Sequence, residues 1–195
     1  SKAKKMIIKK PIASFDIDSI NKFLFKDKVL LKLAENDDFE MLDELKINDE
    51  YIKSWILNKK GNYPKSITTA RNELNKRLDT TSLEDDFSSQ KEDESEKGEI
   101  NFSDFELKLM YPVLYEKEIN SWAKTYKQSP YLFMSLVREE SHFDKNAKSS
   151  VGAFGLVQLM QDTANFIEKT TVSKEILANE SENIRIGLKY FNYLV

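Results

Sequence analysis

The chain has no cysteine, one histidine, 5 glycines and 4 prolines in 195 residues. Without cysteine there is no disulfide and no thiolate nucleophile or metal ligand, and a single histidine excludes a His-rich metal site. So few glycines and prolines leave little material for the many tight turns of a β-sandwich or barrel. No apolar run approaches the roughly 20 residues that a membrane-crossing helix needs. The longest candidate, Phe23 to Leu33, is broken by Lys26, Asp27, Lys28 and Lys32. The basic opening Ser1-Lys2-Ala3-Lys4-Lys5 leads only into Met6-Ile7-Ile8, too short for the apolar core of a secretory leader. The expectation is a chain that is either intracellular or numbered after a removed leader. A net charge of −3 argues against a general nucleic-acid binder.

What is present favours helices. Hydrophobic residues make up 40% and charged ones 32%, and long stretches of Lys, Glu, Leu, Ile and Asn are good helix material. An all-α fold is expected. Residues 12 to about 80 read as amphipathic helices forming hairpins. Ile20, Phe23, Leu24, Leu30, Leu31 and Ala34 recur near helical spacing after an N-cap at Asp18 or Ser19. Asn36-Asp37-Asp38 breaks the pattern before Phe39, Met41, Leu42 and Leu45. Tyr51, Ile52, Trp55 and Ile56 mark another helix that stops at Lys60-Gly61-Asn62. Pro64 fits a restart, with Ile67, Ala70, Leu74 and Leu78 on one face.

Residues 81–101 turn acidic and nearly lose their apolar content, which predicts a mobile, solvated linker between residues 1–80 and residues 102–195. Helical periodicity then returns over about 103–110, over 112–126 with Pro112 in the first turn, and from Ser129-Pro130 to about 142. A glycine-punctuated segment, Val151 to Leu156, precedes helices near 156–169 and 181–194. The last residues, Leu188 to Val195, keep the helical pattern without a stop signal, so the chain is expected to be cut short.

Glu140 stands out on the helix that begins at Pro130. Projected at about 100° per residue, Leu132, Phe133, Leu136 and Val137 form an apolar stripe. Glu140 lies near its centre, and Glu139 falls toward the polar side with Arg138. A carboxyl on the buried side is harder to ionise, as a general acid near neutral pH requires. A helix-end glutamate paired with a lysine or with backbone donors has the same spacing, so periodicity alone does not make Glu140 catalytic.

Ordered blocks surround it. Tyr111-Pro112 with Tyr115 opens the series, followed by Glu140-Ser141-His142-Phe143 and by Ser149 nine residues beyond the glutamate. Gly152-Ala153-Phe154-Gly155-Leu156-Val157-Gln158 comes next, with Met160 and Thr163-Ala164, and then Asn183-Ile184 with Gly187. Residues 111–194 thereby resemble the catalytic domain of soluble lytic transglycosylases, which has a lysozyme-like helical fold. The resemblance implies Glu140 as the catalytic residue and Ser149, Gln158, Met160 and Asn183 as substrate contacts. Ser141, Phe143, Gly152 and Gly155 belong to the structural motif, and His142 is expected at the surface. It implies no metal and no cofactor. Val157 stands where the family usually has Met, and Gln161 where it often has Pro. The family's later Ala-Tyr-Asn-Ala-Gly block, whose Tyr lies beside the glutamate, is not among these 195 residues, so the site is expected to be incomplete as given.

The implied substrate is the glycan strand of peptidoglycan, in the bacterial envelope or periplasm, with no nucleic acid and no integral membrane segment. Ordinary glycosidases use two carboxylates, and no second one has comparable support, since Asp144 and Asp162 fit turn or N-cap positions. The implied reaction is transglycosylation by a single glutamate acting first as acid and then as base. Three other readings remain open: a goose-type lysozyme-like hydrolase, a non-catalytic peptidoglycan-binding or scaffolding module, and a helical interaction protein acting through its amino-terminal hairpins. Those hairpins resemble the end of a helical superstructure preceding the catalytic domain.

Overall fold

A computed structural model describes residues 28–45, 47–87 and 102–195. Among the described residues the fold is all-α, with ten helices and two isolated antiparallel bridges, Lys148 to Phe154 and Phe154 to Leu159. None of these helices is long and apolar enough to cross a membrane. The N-cap expected at Asp18 or Ser19 lies outside the described residues.

The amino-terminal helices follow their local signals closely. Helix α1 (Lys28–Glu35) ends at the Asn36–Asp38 break, where Asp37 takes a left-handed conformation at φ 55°. Asp38 then caps α2 (Phe39–Glu44), its carboxylate accepting from Met41 N. Asp49 caps α3 (Glu50–Lys59) by accepting from both Tyr51 N and Ile52 N. Gly61, at φ +74°, turns the chain into α4 (Tyr63–Phe87). Helices α3 and α4 form a close hairpin held by a reciprocal pair of buried bonds: Ser54 Oγ donates to Ser66 O, and Ser66 Oγ to Ser54 O, both at 2.8 Å.

Helix α4 continues to Phe87, well into the segment expected to be a linker. Its sequence explains why, because no glycine or proline occurs between Pro64 and Gly98 to stop it. Residues 88–101 lie outside the described residues. Ser103 and Glu106 then form a capping box at the start of α5 (Asp104–Met110). Glu106 is almost fully buried and also pairs with Arg77 of α4.

Two helix starts in the carboxyl-terminal half differ from the periodicity, and one short helix is additional to it. Helix α6 (Glu116–Tyr126) begins four residues after Pro112, because Tyr115 sits at φ 53° and interrupts any earlier helix. Helix α7 (Pro130–Ser141) starts as expected, with Ser129 as N-cap and proline in the first turn. Helix α8 (Gln161–Glu168) starts late, since Phe154 to Leu159 forms the bridged turn instead. The short α9 (Lys174–Ala178), capped by Ser173, was not visible in the pattern. Helix α10 (Glu180–Leu194) closes the chain, and its Arg185 clamps Glu168 of α8 at 2.8 Å.

The cores do not divide where the composition changes. One core joins Leu42, Tyr51, Ile52, Trp55, Ile56 and Ala70 to Phe105, Leu107, Leu109 and Met110, so α5 packs with the amino-terminal helices. A second core contains Ile119, Phe133, Val137, Phe143, Leu156 and Ile184, and it also takes Ile67 from α4. A third, around Leu159, Ala164, Ile167 and Ile186, holds α8 to α10. Ile67 and Ala70, one helical turn apart, thus serve different cores, and both are fully buried.

Replacing Ile67 with Ala should cost about 2–5 kcal/mol. Single-tryptophan versions retaining Trp55 (first core) or Trp122 (packed on the second) should both show a lowered urea midpoint. A drop seen by only one of them would mean that α4 does not couple the two cores.

Candidate active site

Glu140 lies in the last turn of α7, and this end of the helix is fixed on three sides. Ser141, buried beside it, donates its hydroxyl to Leu156 O at 2.8 Å and is within reach of Val137 O at 3.2 Å. His142 and Phe143 then both adopt left-handed conformations, at φ 50° and 64°, and swing the chain back toward the glycine-containing loop. Two consecutive non-glycine residues in that region cost conformational energy, which the surrounding packing must offset. Phe143 supplies part of that packing, being 2% exposed in the second core.

On the other side, Arg138 donates from Nε to Met110 O at 2.7 Å, stacks 4.4 Å from the centroid of the Tyr111 ring, and pairs with Glu139. Arg71 of α4 hydrogen-bonds His142 Nε2. His142 was expected at the surface but is half-buried against this arginine. Burial first, and then the Arg71 and Arg138 guanidinium groups, hold its pKa below the ordinary 6.5. Neither arginine contact has a sequence signal, because each joins residues far apart in the chain.

The burial expected of Glu140 is not there. Its carboxylate is exposed and has no hydrogen bond or ion pair among the described residues. The buried face of α7 is Phe133, Met134, Val137 and Ser141, while Leu132 is 56% exposed and Leu136 is half-buried. The apolar sector is wider than the buried one. Its surplus, the exposed Leu132 and the half-buried Leu136, leads along a partly open face to Glu140 at helical i, i+4 spacing.

The loop beside Glu140 is rigid by construction. Ser149 Oγ accepts from Ala153 N at 2.9 Å and closes the tight turn that contains Gly152, at φ +92°. Gly155, at φ +79°, lies against the Asn183 side chain, which would occupy the position of any Cβ there. Asn183 is 1% exposed, and its carboxamide makes three backbone bonds: Nδ2 to Phe154 O and Leu177 O, and Oδ1 from Val157 N. Expected as a substrate contact, Asn183 is instead buried and fully engaged, and it positions the loop. Gln158, at φ 45°, is half-buried and turns its Nε2 back onto Gly155 O at 2.9 Å and Ala147 O at 3.2 Å. Met160 is 38% exposed at the N-cap of α8. The Gly187 position lets α10 approach Val157, which a Cβ there would meet at 2.5 Å. Ser149, Gln158 and Met160 thus stay partly accessible on the segment that Ser141 staples to the end of α7.

Residues 117–195 match the family model of the transglycosylase SLT domain. This segment is a transglycosylase SLT domain. The match begins at the second residue of α6 and includes every block from Glu140 onward. The fold is also similar to the X-ray structure of an inactive glutamate-to-glutamine mutant of the lytic transglycosylase Slt from Pseudomonas aeruginosa, with a TM-score of 0.55 and 18% identity. That alignment takes in 94% of this chain and 28% of the other, so the chain spans a little over a quarter of that protein's length. The helices ahead of the SLT domain therefore share in the likeness of fold.

Two measurements test this description of the SLT domain. Gly155→Ala should cost more than about 1 kcal/mol, because it forces Ala to positive φ and into Asn183. Gly152→Ala, whose Cβ would meet nothing within 4 Å, should cost clearly less in the same chemical denaturation. The His142 ring should titrate below 6.5 by NMR, and Arg71→Met should move its midpoint up. A histidine with a depressed folded pKa stays neutral in the fold while the unfolded chain protonates. Its contribution to stability is therefore full above about 6.5 and declines as pH falls through the window down to the folded value.

Proposed function

We propose that the chain is a peptidoglycan lytic transglycosylase that cleaves the β-1,4 bond between N-acetylmuramic acid and N-acetylglucosamine, with Glu140 as its single acid–base group. The observation that carries this reading is the unpaired, exposed Glu140 carboxylate beside a loop whose shape is fixed by buried bonds. A glycan lying along the partly open face past Leu132 and Leu136 would reach it and remove it from water, which favours the protonated form. The carboxyl then donates its proton to the glycosidic oxygen as the bond to the anomeric carbon breaks, with the muramic N-acetyl group supporting the cationic centre. The resulting carboxylate removes the proton from the sugar's own C6 hydroxyl, whose oxygen closes on the anomeric carbon. The product is a 1,6-anhydro sugar, no water is consumed, and Glu140 ends protonated as it began.

Neighbouring carboxylates support a one-glutamate mechanism over a pair. Glu139 is tied to Arg138, and Asp144 accepts from Asn146 N at 2.9 Å to form a turn. Asp162 stands in the first turn of α8, where a negative charge meets the positive end of the helix. Ser149, Gln158 and Met160 are assigned to the cleft wall as contacts for N-acetyl and hydroxyl groups. Peptidoglycan as substrate places the reaction in the bacterial envelope, on its periplasmic side.

Glu140→Gln should lower release of soluble fragments from purified peptidoglycan by about 10²- to 10⁴-fold while leaving the thermal unfolding temperature in place. Mass spectrometry of the wild-type products should find muramic ends lighter by one water than reducing ends. Reducing ends alone would assign the chain to hydrolysis, and a fully active Gln variant would remove Glu140 from the chemistry.

A further inference from the structure

A cavity of about 500 Å³ lies where the start of α4 meets the loop that follows α7. Its lining residues include Tyr63, Tyr115 and Pro64, the core residue Phe143, and the polar Asn62, Asn146, Asp144 and Glu180. Glu140, Ser149 and Gln158 are not among its lining residues.

The chemistry of the walls is selective. Aromatic faces accept the C–H faces of a sugar ring, and a buried tyrosine also keeps a polar handle. An amide presents a donor and an acceptor in one plane and a carboxylate two acceptors, which suits the adjacent hydroxyl and acetamido groups of a pyranose. Net charge is balanced. Lys60 and Lys145 line the cavity together with Asp144 and Glu180, but Lys145 holds Glu180 at 2.5 Å and Lys60 holds Asp43 at 2.7 Å and Glu40 at 3.2 Å. With its cations already paired, the cavity offers little to a free phosphate, and its lysines disfavour an ammonium group. Burial, aided by the Glu180 carboxylate, pushes the Tyr115 phenol up to about 12, so its hydroxyl remains a donor at any physiological pH. The volume lies within the ~300–1,000 Å³ typical of small-ligand pockets.

We propose that this cavity binds a pyranose unit of a β-1,4-linked amino-sugar strand, as a holding site separate from Glu140. The inference rests on the proposed function only for the class of polymer, because its test reads binding and not cleavage. The strand would then be gripped at two places on the chain, at the α4 junction and along the face of α7.

The test is an amide NMR titration of the 195-residue chain with chitotetraose. Saturable shifts are expected at Gly61, Asn62, Tyr63 and Asn146. Asn146→Ala and Tyr115→Phe should each weaken that saturation about tenfold, the loss expected for one hydrogen bond to an uncharged ligand. Glu140→Gln should leave it unchanged, so a failed cleavage mechanism and a failed cavity assignment give different results. Asn146 is exposed and Tyr115→Phe keeps the ring, so both variants should retain the wild-type spectrum elsewhere. Shifts confined to residues 149–158, equal saturation in both cavity variants, or a response to a free stem peptide but not to chitotetraose would each overturn the proposal.

Discussion

The carboxamide of Asn183 is the bond set on which the site depends. It lies in the second turn of α10, out of contact with water, and its three backbone bonds reach Phe154, Val157 and Leu177. Each satisfies a group that would cost about 1–3 kcal/mol if buried unpaired. The loop can therefore take only a shape that brings those atoms to one amide. Gly155 is required because the amide occupies the place of its side chain. Leu156 O is left facing Ser141, and that bond fixes the last turn of α7 and with it Glu140.

Much of this was legible residue by residue. The break at Asn36–Asp38, the stop at Gly61 and the start at Ser129-Pro130 are local chemistry, and they stand in the structure where the sequence puts them. The ordered blocks mark the loop and the helix end that the Ser141–Leu156 bond joins in the structure. Periodicity failed where the answer depended on what does or does not cover a face. It could see that Glu140 shares a stripe with Leu132 and Leu136, but not that Leu132 and Glu140 stay exposed while Leu136 is only half-buried against the second core. For Asn183 the resemblance implied a substrate contact, and a carboxamide that folds back on three backbone groups looks no different in sequence from one that faces a ligand.

Composition misled in a second way. The acidic residues after Thr80 read as a linker, although polar sequence without glycine or proline can stay helical, and α4 runs to Phe87. The same shift hid the partition of the cores, in which α5 sides with the helices before it. Cross-chain contacts such as Arg71 with His142 and Arg138 with Met110 were beyond any local reading. They bring the amino-terminal helices to the residue two beyond Glu140 and the residue two before it.

Helix α4 gives Ile67 to one core and Ala70 to the other, so it acts as a common axle. Two bodies pinned to one rigid rod within a single turn cannot hinge against each other at that place. Any swing of α3, or of the helices before it, must be transmitted through α4 as rotation of the whole, or must arise ahead of the serine-locked α3–α4 hairpin. A displacement of the amino-terminal helices would thus reach the end of α7 as torque rather than be absorbed as bending.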